Sequence, residues 1–509
     1  MAGATRQLCE YAAALRFETL PGDVVGQAKS CVTDTVAAML YGRGLPWSRL
    51  IVDHAGTTAR SGRSTLFGAP ASRVDAAAAA FGNGALAHAF EMDCLTYPSA
   101  GTHPGANLVP PGIAVAQETG ASGTELIAAL VAGCEVANRI GRACDPLRTA
   151  FHAPGILGPP GGAVVAGHLM KLDARRMENA LGIAASFGSG IMAFSATRDG
   201  GMVKKLHLAR AAEGGVTAAR LAARGVTGPS GVLEAPGGTL DAFGERPDPA
   251  ELMRDLGSRY ETLTISLKRF AAHITAHTPI QALLDLRLDD GFAGADIAAM
   301  EVTGSARMVK RHGNPEPGDL MAAQYSVPFC LALAAFRDPC DPASFAENAV
   351  DDPLIRALCR RVKLAEGPVP PDQPLLVRLT VTLRDGRVLE RAVGSYPGTP
   401  LEPPGTEARR QHFIACAGET PEDNHKSSLK KQEVGVPSHE ALTSLAKEHG
   451  VTAATGKAGT LVLFDCNTMH GSNGNITPFA RSNAFFVFNA MSNRLQRPFG
   501  AGKARPDFL

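Results

Sequence analysis

The stretch from residue 88 to residue 105 concentrates groups that can move protons. It contains two imidazoles, His88 and His103, and two carboxylates, Glu91 and Asp93, whereas the apolar segments on either side carry almost no charge. Four titratable groups between apolar segments favour an acid–base site. The second half of the stretch is rich in Pro, Gly, Thr and Ser and predicts a loop. The alternative is a polar helix end with capping residues.

Two histidines share the same local setting. His103 precedes Pro104-Gly105, and His152 lies in the similar run from Phe151 to Gly155. A residue before proline is held in extended backbone. An isolated histidine is more often structural than catalytic, but the repeated setting between predicted helices favours a function for both.

Cations occur in two further segments. Lys204, Lys205 and His207 lie at the start of a predicted helix, where free backbone N–H groups also attract anions. Lys268 and His277 lie in a second basic segment, at the predicted domain junction. These side chains could bind a substrate carboxylate, or the segments could be ordinary solvated turns. His277 has a histidine four residues before it, but no HExxH zinc motif is present.

Composition limits the class of protein. The chain has 509 residues, room for about three domains, and 50 basic against 49 acidic residues. This balance argues against nucleic-acid and membrane partners. The ten cysteines form no CxxC pair, which indicates a reducing compartment. With no signal-like segment and no long apolar run, we expect a cytoplasmic globular protein.

The first half of the chain predicts an all-α domain, rich in Ala, Leu and Gly. Apolar spacing predicts helices over 24–41, 74–90, 124–140, 174–186 and 206–224. Glycine-rich turns are expected at 155–162 and 188–201.

A smaller α+β domain is predicted to follow. Alternating segments at 297–305 and 375–393 predict strands, the second a hairpin turning at Asp385-Gly386. Helices are expected at 281–288, 327–336 and 353–361, and proline-rich connectors at 363–375 and 396–405.

Nucleotide and nucleophile motifs are missing from the sequence. There is no Walker A loop and no GxSxG elbow, and Gly188-Ser-Gly190 lies between predicted helices rather than after a strand. Any catalysis would therefore depend on His, Lys and carboxylate side chains. These suit proton transfer next to a carboxylate, as in dehydration, decarboxylation or epimerisation.

From about Leu8 to about Phe413 the chain resembles the MmgE/PrpD family, which includes 2-methylcitrate dehydratase and cis-aconitate decarboxylase. The matching motifs, in order, are His88-Ala-Phe-Glu-Met-Asp93, Thr102-His-Pro-Gly-Ala106, Val131-Ala-Gly-Cys-Glu135, Phe151-His152, Lys204-Lys-Leu-His207, Ala211-Ala-Glu-Gly-Gly215 and Ser266-Leu-Lys268. The resemblance implies a large helical domain with a smaller α+β lid, usually homodimeric, and no metal or organic cofactor.

The resemblance also implies roles for particular residues. The catalytic set carried over by position is Glu91, Asp93, His103, His152, Lys204 and Lys268. The two lysines would bind substrate carboxylates, with His277 as a further substrate-binding residue. The two histidines would shuttle protons, and an acidic side chain would orient or activate them.

Two positions depart from the family pattern. The acidic cluster usually reads Leu-Asp-Phe-Asp-Asp, but here it is Phe90-Glu-Met-Asp-Cys94, with a longer first carboxylate and no third one. The decarboxylase branch has a tyrosine where this chain has Phe329, with Tyr325 four residues before it. Methylcitrate dehydration and epimerisation of a dicarboxylate therefore fit better than cis-aconitate decarboxylation.

Residues from about 412 to 509 resemble the end of ectoine hydroxylase, an Fe(II)/2-oxoglutarate oxygenase with a jelly-roll fold. The resemblance implies His470 as an iron ligand and Ser472 and Arg481 as 2-oxoglutarate-binding residues. Iron in this class needs two histidines and a carboxylate, which begin as His-x-Asp. None of the 14 histidines is followed at the second position by Asp or Glu. We therefore expect a truncated, β-rich and vestigial segment, with Fe(II) and 2-oxoglutarate required only if it were functional.

These observations predict four regions and one leading function. The regions are a helical domain at 1–265, a lid at 266–395, a return segment at 396–413 and the oxygenase-like segment at 414–509, with the joint near 411–413. The leading function is a cofactor-independent lyase acting on a di- or tricarboxylate. The alternatives are a dicarboxylate epimerase, a 2-oxoglutarate-dependent hydroxylase and a non-catalytic fusion product. The expected partners are a small carboxylate substrate and a second copy of the chain.

Overall fold

The computed structural model describes residues 3–69, 73–97, 101–195 and 201–417. By its internal contacts the chain divides after Ala417, and the description below concerns the part up to that residue. The β-rich structure predicted for the C-terminal segment lies outside these ranges. None of the helices in them has the length and apolar character needed to cross a membrane.

Helices make up most of this part of the chain. In chain order they are α1 (Ala4–Ala14), α2 (Gly22–Gly42), α3 (Pro46–Thr58), α4 (Ala76–Ala87), α5 (Pro104–Thr119), α6 (Gly123–Ala143), α7 (Ala153–Leu169), α8 (Ala174–Ala185), α9 (Val203–Ala223), α10 (Thr239–Phe243), α11 (His277–Asp290), α12 (Ala306–His312), α13 (Leu320–Tyr325), α14 (Val327–Phe336), α15 (Glu347–Val350), α16 (Pro353–Cys359) and α17 (Thr406–Ala417). The mainly α fold predicted from the sequence is confirmed.

The helical layer forms because small residues let the helices approach closely. Helices α4, α5, α7 and α9 pack on one another around an alanine-rich core. Where α7 crosses α9, a Cβ added to Gly215 would lie 2.5 Å from the carbonyl carbon of Gly162. Only glycine permits this backbone contact.

The strands are few and short. They are β1 (Ser61–Thr65), β2 (Arg73–Val74), β3 (Leu95–Thr96), β4 (Ile265–Ser266), β5 (Ile297–Gly304), β6 (Val362–Glu366), β7 (Val377–Leu383) and β8 (Val388–Val393). The last four form a sheet in the order β6-β5-β7-β8, with β5 and β6 parallel and the other pairs antiparallel. On β7 the buried residues alternate with more exposed ones, and α11 packs against β7 and β8.

Two local predictions were wrong. The run 155–162, predicted as a turn, lies inside α7 although it contains Pro159 and Pro160. Nearly every residue of α7 is buried, so tertiary packing outweighs the low helix propensity of Gly and Pro. The proline-rich connector predicted from residue 363 begins instead as β6, which is parallel to β5.

Candidate active site

The turn after α4 directs alternate side chains to opposite sides. Phe90 and Met92 are buried in the core of the α+β domain, whereas Glu91 and Asp93 face the helical layer. Glu91 has φ of 53°, a left-handed conformation that is uncommon for residues other than glycine. Non-glycine residues in this region are strained, and such strain concentrates at functional sites.

Asp93 is shared by two imidazoles. Its Oδ2 lies 2.8 Å from Nδ1 of His88 and 2.7 Å from Nδ1 of His103. Burial alone would raise the pKa of Asp93, but attraction to the imidazoles and their hydrogen bonds hold it well below its usual range. Burial lowers the pKa of His88, so this ring is neutral and donates its Nδ1–H to the carboxylate. A proton fixed on Nδ1 leaves Nε2 of each ring as a base.

Three helices begin at this cluster. His103 is the residue before α5 and His152 the residue before α7, each followed by proline within the first two helical positions. Lys204, Lys205 and His207 lie in the first turns of α9. The N-terminal ends of helices favour anions, so this arrangement suits a negatively charged ligand.

His152 and His207 form a second imidazole pair. Their Nδ1 atoms lie 3.1 Å apart, and both rings contact Phe194. Burial lowers the pKa of both histidines. Because both rings are neutral, the Nδ1–H of one donates to Nδ1 of the other. The ring centres of His152 and His88 lie 6.1 Å apart, so this pair is next to the Asp93 cluster.

A short strand pairing brings Lys268 to the cluster. Strands β3 and β4 are antiparallel, with Leu95 opposite Ser266, so Lys268 follows two residues after β4. Buried Glu135 of α6 accepts hydrogen bonds from the N–H and hydroxyl of Thr262, just before β4. These contacts fix the incoming segment against the helical layer.

Glu91 binds both predicted substrate lysines. Its Oε1 accepts from Lys204, and its Oε2 lies 3.0 Å from Nζ of Lys268. The hydroxyl of Tyr325 lies 3.4 Å from Oε1, and Nζ of Lys204 lies 4.8 Å from the centre of the Tyr325 ring. All three charged side chains are buried. The site is therefore closed around an internal ion-pair network.

Lys205 is the cation of this cluster that Glu91 does not bind. It is 4 % exposed and makes no side-chain hydrogen bond or ion pair within the described ranges. Burial lowers its pKa to about 8, and Asp93 opposes that shift. A largely buried side chain whose ammonium group has no carboxylate partner is suited to binding an anionic ligand.

The structure thus brings together all six predicted catalytic residues. They are Glu91, Asp93, His103, His152, Lys204 and Lys268. Their catalytic roles remain predictions. His88 and Lys205 were predicted as a possible acid–base group and a possible carboxylate-binding cation, but they were not part of the predicted catalytic set. Only the fold shows which charges meet. Tyr325 had no sequence signal beyond its place before the Ser-Val-Pro-Phe run.

His277 is engaged elsewhere. Its Nε2 accepts a hydrogen bond from the N–H of Phe270, its Nδ1 lies 3.3 Å from the carbonyl oxygen of His273, and its ring packs on Tyr396. With both nitrogens used, the geometry favours a structural role over substrate binding. Ser472, Arg481 and His470, predicted for 2-oxoglutarate and iron, lie outside the described residues.

One group of potential metal ligands occurs in the described part of the chain. It is His88, Asp93 and His103, whose ligand-type atoms lie within 4.8 Å of one another. Both Nδ1 atoms already bind one Asp93 oxygen. The geometry is that of an oriented pair of bases, and the expected absence of a cofactor remains a prediction.

Asp34 of α2 is buried close enough to Asp93 for the two carboxylates to repel each other. Burial and repulsion from Asp93 raise its pKa well above the usual range, and its Oδ2 has no hydrogen-bond partner within the described ranges. A raised pKa means that the folded protein holds a proton that the unfolded chain releases. The stabilising effect of this proton is full below the unfolded pKa of about 3.9 and is lost as pH rises.

We therefore expect Asp34→Asn to gain stability relative to the parent as pH rises from 5 to 8. The measurement is the free energy of unfolding in urea at each pH, with the exposed Asp372→Asn as the control. A constant loss of stability at every pH would show that Asp34 is ionised and paired.

Two models of one protein family match most of the described part of the chain. The MmgE/PrpD N-terminal domain model matches residues 6–252, and the MmgE/PrpD C-terminal domain model matches residues 270–433. Together they cover more than half of the chain. The chain belongs to the MmgE/PrpD family. Members of this family are typically lyases or dehydratases.

A second family matches the end of the chain. The phytanoyl-CoA dioxygenase model matches residues 422–483, overlapping the MmgE/PrpD match over residues 422–433. The chain is 49% identical over 157 residues to an ectoine dioxygenase of Sphingopyxis alaskensis, covering 31% of this chain and 42% of the relative. It is 60% identical over 97 residues to the ectoine dioxygenase of Halomonas elongata, covering 19% and 29%. The chain thus spans less than half the length of these relatives, which confirms the predicted truncated fragment.

Proposed function

We propose that the MmgE/PrpD part of this chain is a lyase of the 2-methylcitrate dehydratase type, acting on a di- or tricarboxylate. The observation that carries the proposal is the Asp93 carboxylate, which holds two imidazoles by Nδ1 beside three buried lysines. Acid–base catalysis needs a base with a fixed tautomer, and carboxylate substrates need cations.

In this proposal His103 removes the proton next to a substrate carboxylate. Its side chain is 11% exposed, whereas that of His88 is fully buried with an unpartnered Nε2. Asp93 fixes the His103 tautomer and stabilises the imidazolium that forms. Lysine ammonium groups stabilise the enediolate-like charge that develops on the substrate. The imidazolium of His103 then returns this proton to the leaving hydroxyl, which departs as water, and the neutral His152–His207 pair can donate a hydrogen bond to that hydroxyl.

The test is incubation of the full chain with 2-methylcitrate. We expect unsaturated-acid absorbance to increase, and the α-proton to exchange with solvent in D₂O by NMR. Loss of optical rotation without new absorbance would support the epimerase alternative. Absence of both changes with several di- and tricarboxylates would contradict the proposal.

The C-terminal segment contributes no step to this reaction. An ectoine dioxygenase activity would require Fe(II) and 2-oxoglutarate, and the sequence lacks the His-x-Asp pair that would hold the iron with His470. We propose that this segment is catalytically silent. Formation of succinate from 2-oxoglutarate in the presence of Fe(II) would contradict this.

A further inference from the structure

Glu91 occupies the place where a substrate carboxylate would bind. Its two oxygens take the ammonium groups of Lys204 and Lys268 separately, and the hydroxyl of Tyr325 faces one of them. This is how two cations and a phenol would hold a bound carboxylate. While Glu91 is bound to both lysines it neutralises their charge, so a ligand carboxylate must compete with Glu91 for them.

Two features indicate that a ligand carboxylate can displace Glu91 from the two lysines. The left-handed backbone at Glu91 is not the locally preferred conformation, so tertiary contacts, the lysine contacts among them, are needed to hold it. One methylene more than in the family's aspartate gives the side chain the reach to bridge both ammonium groups. Nearby Lys205 is buried and has no ion-pair partner within the described ranges.

The net charge of the site distinguishes monocarboxylate from dicarboxylate ligands. With Glu91 in place, the three lysines face two carboxylates, Glu91 and Asp93, which leaves one positive charge for a ligand. A monocarboxylate can pair with Lys205 and leave Glu91 where it is. A dicarboxylate needs a second cation, and that cation is available only when Glu91 leaves Lys204 and Lys268.

We infer that Glu91 is a specificity-determining residue, an internal carboxylate that the second carboxylate of a substrate must displace. The inference rests on the proposed function only for the class of ligand. In this inference Glu91 competes with di- and tricarboxylates for Lys204 and Lys268 and does not affect the binding of monocarboxylates. Lys205 provides the first contact for both classes.

The experiment compares succinate with propionate as probes in the full chain at pH 7. Binding is followed by the fluorescence of Trp47, the one tryptophan in the sequence, whose Nε1 donates to the carbonyl of Ala89 beside the turn. Glu91→Gln should bind succinate about tenfold more tightly than the parent, because the neutral amide no longer competes for the lysines. Its affinity for propionate should change by less than about twofold.

Further variants separate this inference from loss of folding. Glu91→Asp keeps the charge but is too short to bridge both lysines, so it should bind succinate with intermediate affinity. Glu301→Gln, at an exposed position on β5, is the matched control and should bind both acids as the parent does. Lys205→Met should weaken both acids.

The outcomes are distinct. Equal or weaker succinate binding by Glu91→Gln overturns the inference, as does an equal tightening of propionate. If no variant or parent binds either acid, both the inference and the proposed function fail. If binding changes as expected but no α-proton exchange occurs with any acid, the inference stands and the proposed reaction fails.

Discussion

Asp93→Asn should lower the rate of substrate α-proton exchange about 10³–10⁴-fold with little change in fold. One carboxylate oxygen now accepts from Nδ1 of both His88 and His103. An amide can place its oxygen there, but it has no negative charge to stabilise the imidazolium that forms when His103 takes up the proton. The base would therefore accept the substrate proton much less readily.

This prediction is measured by proton exchange in D₂O, with binding of the same acid measured in parallel. We expect the rate to fall much more than the affinity, because the lysines that bind carboxylates are untouched. Asp53→Asn, at an exposed position on α3, is the matched control. A variant with nearly normal exchange would show that the two imidazoles do not depend on Asp93.

Acid sensitivity gives a second measurement on the same variant. The lowered pKa of Asp93 means that its contribution to stability is present above the unfolded value of about 3.9 and is lost as pH falls further. Asp93→Asn should therefore lose less unfolding free energy than the parent between pH 5 and pH 3. Equal losses would contradict the lowered pKa.

Lys204→Met should destabilise the folded protein by about 3 kcal/mol. Removal of one partner from a buried ion pair costs about 3–5 kcal/mol, because the other charge is left uncompensated. The lower end applies here, since Lys268 still donates to the other oxygen of Glu91. The methionine keeps much of the aliphatic volume, so the lost charge dominates the effect.

The measurement is urea unfolding followed by Trp47 fluorescence, because this tryptophan contacts the backbone next to the turn that carries Glu91. Glu91→Gln, alone and in the same chain as Lys204→Met, completes a double-mutant cycle, and we expect a clear coupling free energy because either substitution breaks the same ion pair. Lys310→Met, exposed on α12, controls for loss of a surface charge. A coupling free energy near zero would mean that Lys204 stabilises the fold by packing alone.

The sequence indicated the site because its chemistry is local along the chain. His88, Glu91, Asp93 and His103 lie within one stretch of 16 residues bounded by apolar segments, so their composition alone marks them. His103 and His152 were detectable because each precedes a helix that contains proline near its start. The hairpin at Asp385-Gly386 was also local, since its turn residues and alternation lie side by side.

Other features escaped the sequence because they depend on burial and on distant contacts. α7 reads as a turn by its Gly and Pro content, and only packing on α5, α6 and α9 makes it a helix. The apolar pattern of β6 is too short to predict a strand by itself, and its parallel pairing with β5 is seen only in the structure. In the sequence Asp34 is an ordinary carboxylate of a predicted helix, and only the fold shows that burial and the charge of Asp93 raise its pKa.

By itself, then, the sequence determined the family, the mainly α class and the residue types of an acid–base site, because these follow from motif order and local periodicity. Only the tertiary structure decided which charges pair. The β3–β4 pairing and the start of α9 bring Lys268 and Lys204 onto Glu91, residues separated by 177 and 113 positions. Ion pairing depends on distance and desolvation, and neither is encoded in the spacing of residues along the chain.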